Sequence, residues 1–387
     1  MFDLYSGNTP SRLNKEHFKG TVNWISSGEL KEHYIYSSKE QISEEAAKSL
    51  KLLPVGTFVI AIYGLEAEGV RGTGSIIQEP STISQACMSF IPKGVIENEF
   101  LYSWYKKHGN VIGIRYAQGT KQQNLSYDIL EKFRIAYPNT KEQEKLNKFI
   151  SLLDERIATQ NKIIEDLKKL KSAIIEKVFC SPNQKNPMCR IEGFEQALST
   201  YKMSDFSSRI ATKNKDSKCS LVLTIAAQYG LVNQESFFNK SVASKNLTGY
   251  YLLHKGEFAY NRSYSAGYDW GAVKRLDNYD EGVLSTLYIC FKINETIVDS
   301  DYLTYYFEST KWHRGLSDIA GEGARNHGLL NVSITDYFNT KHRFPVIEEQ
   351  KAIAKMLNTI TEKERKATLL GECYQKQKQY LLRQMFI

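Results

Sequence analysis

Four short tracts of this chain gather side chains that donate and accept hydrogen bonds in pairs. The first is Lys121, Gln122, Gln123 and Asn124, between Gly119 and Leu125. The others are Asn261-Arg262-Ser263-Tyr264-Ser265, then Lys274-Arg275, then Arg325-Asn326-His327 within a glycine-rich stretch at 321–329. Arg12 and Arg71 stand behind the first tract. Arg, Lys, Asn and Gln are the side chains that make bidentate contacts with base edges in the DNA major groove, while contacts to phosphate set register. This is chemistry of recognition, and for each residue the plain alternative is a solvated polar loop.

Bond-making machinery is not visible. The chain carries no GxxxxGK[ST] phosphate loop, no HExxH and no Gly-x-Ser-x-Gly elbow. It lacks the Asn/Asp-Pro-Pro-aromatic signature of amino-group methyltransferases and the Pro-Asp…Glu-x-Lys foothold of the common nuclease core. Gly69-Val70-Arg71-Gly72-Thr73-Gly74 imitates a phosphate cradle, but without a clear strand before it and helix after it we read a turn. The seven histidines are dispersed, as surface or hydrogen-bonded residues rather than ligands. We assign no catalytic residue and no metal ligand.

The dominant feature of the elements that carry these tracts is an internal repeat. Pro138/Pro345, Gln143/Gln350 and Phe179/Phe386 share one offset of 207 residues. The segments ahead of them match more weakly but in order. Leu53-Pro54-Val55-Gly56-Thr57-Phe58 parallels Leu253-His254-Lys255-Gly256-Glu257-Phe258, Phe90 parallels Phe291, and Phe100-Leu101-Tyr102 parallels Tyr302-Leu303-Thr304. Each globular segment mixes short β-like runs (55–63 and 84–91 in the first) with a helix near 99–107 and Gly-centred turns; 43–51 reads as another helix.

Each repeat closes with a long amphipathic helix, 141–179 and 348–386. Positions 146, 150, 153, 157, 160, 164, 167, 171, 174 and 178, and their counterparts 207 residues on, follow the alternating spacing of a coiled-coil seam. Antiparallel pairing sets Gln160 against Gly371 and Ile164 against Ala367, whereas parallel pairing sets Lys171 against Lys378. Antiparallel is favoured, with a pseudo-twofold relation between halves. The alternative is two surface helices packed separately, but thirty-nine residues far exceeds an ordinary globular helix. At 1.5 Å per residue each helix is about 58 Å long.

The net charge is +8. The first helix holds nine basic and seven acidic residues and the second eight and five, so the remainder carries only +3. A basic recognition surface is therefore a local patch. Nothing at the start reads as a signal peptide, no stretch is apolar for the roughly 18–20 residues of a membrane span, and the six cysteines form no CxxC pair. These features indicate a cytoplasmic protein with reduced thiols and no structural zinc.

The layout resembles the specificity subunit of type I restriction-modification systems over essentially the whole chain. The residues that carry it are Ser6-Gly7-Asn8-Thr9-Pro10-Ser11, Trp24-Ile25-Ser26-Ser27-Gly28-Glu29-Leu30, the two glycine-rich tracts, and the Pro-(x)n-Glu-Gln junction into a helix ending Lys-Ser-Ala-Ile-Ile-Glu-Lys-Val-Phe. The resemblance implies an α+β architecture. Target-recognition domains at 1–140 and 194–346 each read half of a split, asymmetric site on double-stranded DNA. Helices at 141–180 and 347–387 form the spacer, with a linker at 181–193. It also implies a non-catalytic chain with two modification subunits, which use S-adenosylmethionine to methylate adenine, and ATP/Mg-dependent restriction subunits as partners. One departure stands out: residues 194–201 precede Met203-Ser204-Asp205-Phe206, but nothing precedes Met1-Phe2-Asp3-Leu4, the pattern of a truncated or alternative start. Two rivals remain, a coiled-coil adaptor joining two protein-binding domains and an enzyme with unfamiliar motifs.

Overall fold

The structure, a computed structural model, describes residues 1–387 except 68, 120–122, 241–245, 264–266, 320–324, 327–328, 331 and 387, and leaves aside the side chains of Asp216, Arg325, Asn326 and Leu329. It forms two compact units, residues 1–161 with 369–387, and residues 162–368.

The first unit begins with β1 (Phe2–Ser6), β2 (Val22–Ile25), β3 (Tyr34–Ile35), β4 (Glu40–Ile42) and the short α1 (Glu44–Ala47). It continues through β5 (Phe58–Ala61), β6 (Gly74–Ile77), β7 (Ser81–Ile83) and β8 (Cys87–Pro92), then α2 (Asn98–Tyr116), α3 (Tyr127–Glu131) and the long α4 (Thr140–Val178). One sheet has the order β1-β8-β5-β6-β3 and a smaller one β4-β2-β7. Phe58-Val59-Ile60-Ala61 is a continuous apolar run because β5 is covered on both faces and paired on both edges. The rings of Tyr102 and Tyr105 on α2 meet Phe58 edge-on at 5.9 and 5.7 Å.

The second unit repeats this plan. Its elements are β9 (Ser199–Lys202), α5 (Met203–Phe206), β10 (Ser207–Arg209), β11 (Leu223–Ala226), β12 (Gly230–Asn233) and α6 (Gln234–Phe238). Then follow β13 (Tyr251–His254), β14 (Phe258–Asn261), β15 (Ala272–Arg275), β16 (Glu281–Leu284) and β17 (Ile289–Ile293). The unit closes with α7 (Ser300–Glu308), α8 (His313–Ser317), β18 (Arg325–Asn326), β19 (Leu329–Leu330), α9 (Ile334–Asn339), β20 (Lys341–Phe344) and the long α10 (Ile347–Met385). Its main sheet, β10-β17-β14-β15, matches β1-β8-β5-β6 of the first unit. Phe258 faces Phe291 across β14 and β17 as Phe58 faces Phe90 across β5 and β8, so the weak sequence match marks the same cross-strand pair.

The junction glutamines are the firmest common point. Buried Gln143 donates from its amide to the Val95 and Pro138 carbonyls, both at 2.9 Å, and accepts from the Glu97 N–H at 2.9 Å. Buried Gln350 donates to Ile297 (3.0 Å) and Pro345 (2.9 Å) and accepts from the Asp299 N–H at 2.9 Å. Each amide thereby ties the start of a long helix to the entry of the helix behind the sheet and satisfies two carbonyls and one N–H there.

The long helices pair antiparallel within each unit. In the first, Asp154 binds Lys378, and the Arg156 guanidinium donates to the Tyr374 hydroxyl at 2.8 Å while lying 4.4 Å from that ring. In the second, Lys171 meets Glu364 at 3.0 Å. The two lysines that parallel pairing would bring together thus each find a carboxylate. Every seam position from 146 to 178 and from 353 to 385 is buried or half-buried, and Gln160 and Gly371 are both buried. Phe386 packs on Phe100 of the first unit (5.2 Å between centroids), and Phe179 packs on Tyr302 of the second (5.0 Å). The two helix-terminal phenylalanines therefore seat on equivalent helices.

Three expectations need adjustment. The helix expected at 99–107 runs on to Tyr116, because Gly109 and Gly113 accept close packing from the loop between β5 and β6. The helix expected at 43–51 reduces to Glu44–Ala47. The start of the chain forms a full strand, but in a shifted correspondence. Leu4 faces Phe90 and Arg209 faces Phe291, so Met1 matches Phe206 rather than Met203.

Candidate nucleic-acid interface

In the first unit the chain leaves β5 through Ile62 and returns to β6 through the loop that carries Arg71. The Gly69–Gly74 cluster is this turn. Gly72 adopts φ +72°, and a Cβ there would lie 2.7 Å from the Asn110 amide nitrogen. A Cβ on Gly113 would lie 2.5 Å from Arg71 Cγ, so the arginine stem lies across a bare patch of α2. Its guanidinium reaches Gln123 Oε1 at 3.3 Å, and its buried Nε has no partner among the described residues. Gln123 is held in turn by its own backbone: its N–H donates to Glu66 Oε2 at 2.8 Å and its carbonyl accepts from Leu65 at 3.0 Å. That N–H is the chief cause holding the exposed Glu66 carboxyl below its ordinary pKa. Asn124 exchanges backbone hydrogen bonds with Gln118 at 2.9 Å, leaving its buried Oδ1 without a partner among the described residues. Leu125 then docks its N–H on the Ile62 carbonyl at 2.8 Å.

In the second unit the residue that follows the glycine-rich tract docks in the same way. The Leu330 N–H donates to the Arg262 carbonyl at 3.0 Å, Arg262 corresponding to Ile62. Asn261 Oδ1 accepts from the Ser263 N–H at 3.0 Å, which shapes the turn after β14. The Arg262 guanidinium donates to the Val332 and Leu287 carbonyls, both at 3.1 Å, and its Nε is buried without a partner among the described residues.

Structure thus brings Arg71, Gln123 and Asn124 together, and Asn261, Arg262 and Ser263 together. Lys274 and Arg275 lie apart from the latter group. Arg275 pairs with Phe258, three residues and about 10 Å along β14 from Asn261 at roughly 3.3 Å per residue. Arg275 binds Asp277 at 2.6 Å and Asp301 at 2.7 Å. Burial opposes its charge, but these carboxylates more than offset it and raise its pKa. Burial pushes the Lys274 ammonium down, with Glu308 opposing. Arg12 lies in the turn after β1, where it forms a bidentate pair with Glu40 of β4 in the smaller sheet (2.9 and 2.7 Å) and lies 4.5 Å from the Phe18 ring. Lys121, Gln122, Tyr264 and His327 lie outside the described residues, as do the side chains of Arg325 and Asn326. Glu66 and Gln118 were not foreseen; nothing in their spacing distinguishes them from ordinary loop residues.

The opening motif has a structural task. A Cβ on Gly7 would stand 2.0 Å from the Ile83 carbonyl oxygen, and Trp24 Nε1 donates to the Asn8 carbonyl at 3.0 Å. Glu29 accepts from the Ser26 N–H and hydroxyl and from the Lys39 N–H. These contacts fix the end of β1 against β7 and the turn after β2.

The family model for the type I restriction modification DNA specificity domain matches residues 1–169. The MjaIX type I restriction enzyme specificity subunit of Methanocaldococcus jannaschii is 29% identical over 183 residues, 46% of this chain and 41% of that protein. The EcoR124I/EcoR124II specificity subunit of Escherichia coli is 30% identical over 168 residues, 42% and 40%. The aligned stretch spans about two fifths of each of these relatives. The S subunit of the M. genitalium type I system covers 100% of this chain and 94% of its own, with TM-score 0.54 and 15% identity. The HsdS subunit of Thermoanaerobacter tengcongensis covers 100% and 96%, with TM-score 0.50 and 13% identity. At such identities these structures establish the fold, while the sequence matches are confined to less than half of the chain. With its duplicated α+β units and antiparallel helices, the chain has the fold of these specificity subunits, and residues 1–169 carry the type I restriction modification DNA specificity domain.

Proposed function

We propose that this chain is the non-catalytic, sequence-reading subunit of a type I restriction-modification complex, each unit contacting one half of a split site on double-stranded DNA. The observation that carries this reading is the equivalent docking of the residues that close the two glycine-rich tracts, Leu125 on Ile62 and Leu330 on Arg262. Both of these leucines dock beside the strand end that also presents the other polar candidates. In the first unit Arg71, Gln123 and Asn124 supply the contacts, with Lys121 and Gln122 beside them. In the second, Asn261, Ser263 and Tyr264 do so, with Arg325, Asn326 and His327. Arg12, Arg262, Lys274 and Arg275 are the outer candidates, each already engaged or covered within the protein.

The long helices act as the spacer. Helix length limits the separation of the reading heads to about 58 Å, and with a DNA turn of about 34 Å the half-sites lie on one face of the duplex, about a turn apart. In this reading two modification subunits bring S-adenosylmethionine for adenine methylation, restriction subunits bring ATP/Mg, and the complex works in the cytoplasm. Methylome sequencing of cells carrying the chain with its modification subunit tests the reading. Methyladenine at one bipartite motif, gained only with the chain, is expected. Unchanged methylation beside a modification subunit active with another specificity partner refutes it and favours an adaptor.

A further inference from the structure

The net charge outside the two long helices is only +3, so a surface that grips a polyanion has to be concentrated in one place. One segment accounts for all of it. Residues 207–220 hold Arg209, Lys213, Lys215 and Lys218 against a single acidic residue, Asp216. Arg209, Lys215 and Lys218 are exposed and Lys213 is half-buried. Among the described residues none of the four forms an ion pair.

The segment is braced from within. Buried Asn214 donates from its amide to the Cys219 carbonyl at 2.8 Å and accepts from the Cys219 N–H at 3.1 Å. Its own N–H donates to the Tyr250 carbonyl at 3.0 Å, so the short 3-10 turn Lys215–Ser217 is held at both ends. Lys213 donates to the Gly249 carbonyl at 2.8 Å and stands 3.8 Å over the Tyr251 ring, whose hydroxyl accepts from Arg209 at 3.0 Å. Position ties the segment to the candidate reading loop. Lys213 bridges to Tyr251, Tyr251 pairs with Leu284, and Leu284 leads into the turn whose Leu287 carbonyl accepts from Arg262. Two strand spacings of about 4.8 Å put the Lys213 backbone roughly 10 Å from Leu284. The major groove is about 12 Å wide, so base edges met at the Arg262 turn bring a flanking phosphate row opposite this segment. In the first unit Asn14, 200 residues before Asn214, caps the turn Lys15–Phe18, but there Arg12 is engaged by Glu40 and Lys19 by Glu16.

We propose that Arg209, Lys213, Lys215 and Lys218 form a phosphate-binding wall that grips the backbone of double-stranded DNA beside the half-site of the second unit. The inference rests on the DNA-reading proposal and adds to it a sequence-independent grip that the first unit's turn does not share.

The test compares the full chain, assembled with its modification subunits, with its Lys215→Ala/Lys218→Ala variant. Both side chains are exposed, so neither change removes a buried contact, and Lys215→Arg/Lys218→Arg is the charge-keeping control. Affinity is measured between about 50 and 200 mM salt on a duplex carrying the methylated motif and on an unrelated duplex. Each lost phosphate contact lowers the log–log salt slope by about 0.9, so over that range the alanine variant should lose about twelvefold less affinity than the unchanged complex. The effect should be the same on both duplexes, and the arginine variant should keep the original slope. An unchanged slope in a variant complex that still methylates its motif overturns the wall and leaves the reading subunit standing. A loss confined to the motif duplex also overturns it, since that marks a base contact. So does an unchanged slope with weakened assembly, which makes the segment a face for the modification subunit. Salt-independent binding by the unchanged complex refutes the DNA-reading proposal itself, and this inference with it.

Discussion

Arg262 provides the sharpest test, because its position after β14 suggests base contact while its hydrogen bonds point inward. Replacing Arg262 with Ala removes two charge-assisted hydrogen bonds, to the Val332 and Leu287 carbonyls. Val332 is buried, so its carbonyl loses a partner that water replaces poorly, at about 1.5–3 kcal/mol. Leu287 is largely exposed and its carbonyl rehydrates, which limits that loss to about 0.5–1 kcal/mol. Together R262A should destabilise the second unit by roughly 2–4 kcal/mol. Hydrogen exchange on the full chain is the suitable readout, because two units need not unfold in one step. The Leu330 amide, bonded to the Arg262 carbonyl, should lose protection while amides of β5 and β8 keep theirs. R262K keeps the charge but not the planar two-pronged donor, and should recover less than half of the loss. A base-reading arginine behaves otherwise: about 1–3 kcal/mol of affinity is lost, one base pair is relaxed and stability is untouched. That outcome would refute the structural role argued here.

Further outcomes follow from the same contacts. Gln143→Ala and Gln350→Ala each strip three hydrogen bonds from an equivalent buried junction, and should cost similar amounts of about 2–4 kcal/mol in thermal unfolding; a large inequality would count against equal junctions. Gly113→Val should force the Arg71 stem off α2, weakening binding to one half-site only, as measured by competition with duplexes altered in either half. Glu349 is buried against Arg190, so Arg190→Ala should destabilise the second unit by about 3–5 kcal/mol, more than the double replacement of both residues by apolar ones. His342 is held neutral by burial, its pKa lowered to about 3, between the Tyr306 hydroxyl at 2.9 Å and the Thr340 hydroxyl at 2.8 Å. Since the unfolded imidazole takes a proton below about 6.5 and the folded one does not, its contribution is intact above that pH and falls as the solution is acidified. By pH 5 the second unit should lose about 2 kcal/mol, a slope that His342→Gln removes in a pH series of unfolding.

Much of the architecture is written in local periodicity. The repeat, the two long helices, their seam and their antiparallel sense follow from spacing and from where Lys171 and Lys378 fall, because a coiled coil is a nearest-neighbour structure along its axis. The correspondence of Phe58 with Phe258 and of Phe90 with Phe291 lies likewise in short matching runs, whereas their pairing across neighbouring strands is set by the sheet. The destination of each arginine was not. Arg262 bonds a carbonyl seventy residues away, Arg12 a carboxylate twenty-eight residues away, and Arg71 is aimed by a missing Cβ on Gly113. An arginine in a loop looks the same in sequence whether it faces solvent or secures the loop beneath it, since its partners are set by how distant segments close on one another. Helix α2 escaped its sequence estimate for a related reason: Gly109 and Gly113, unfavourable in isolation, become the seats of a packed loop.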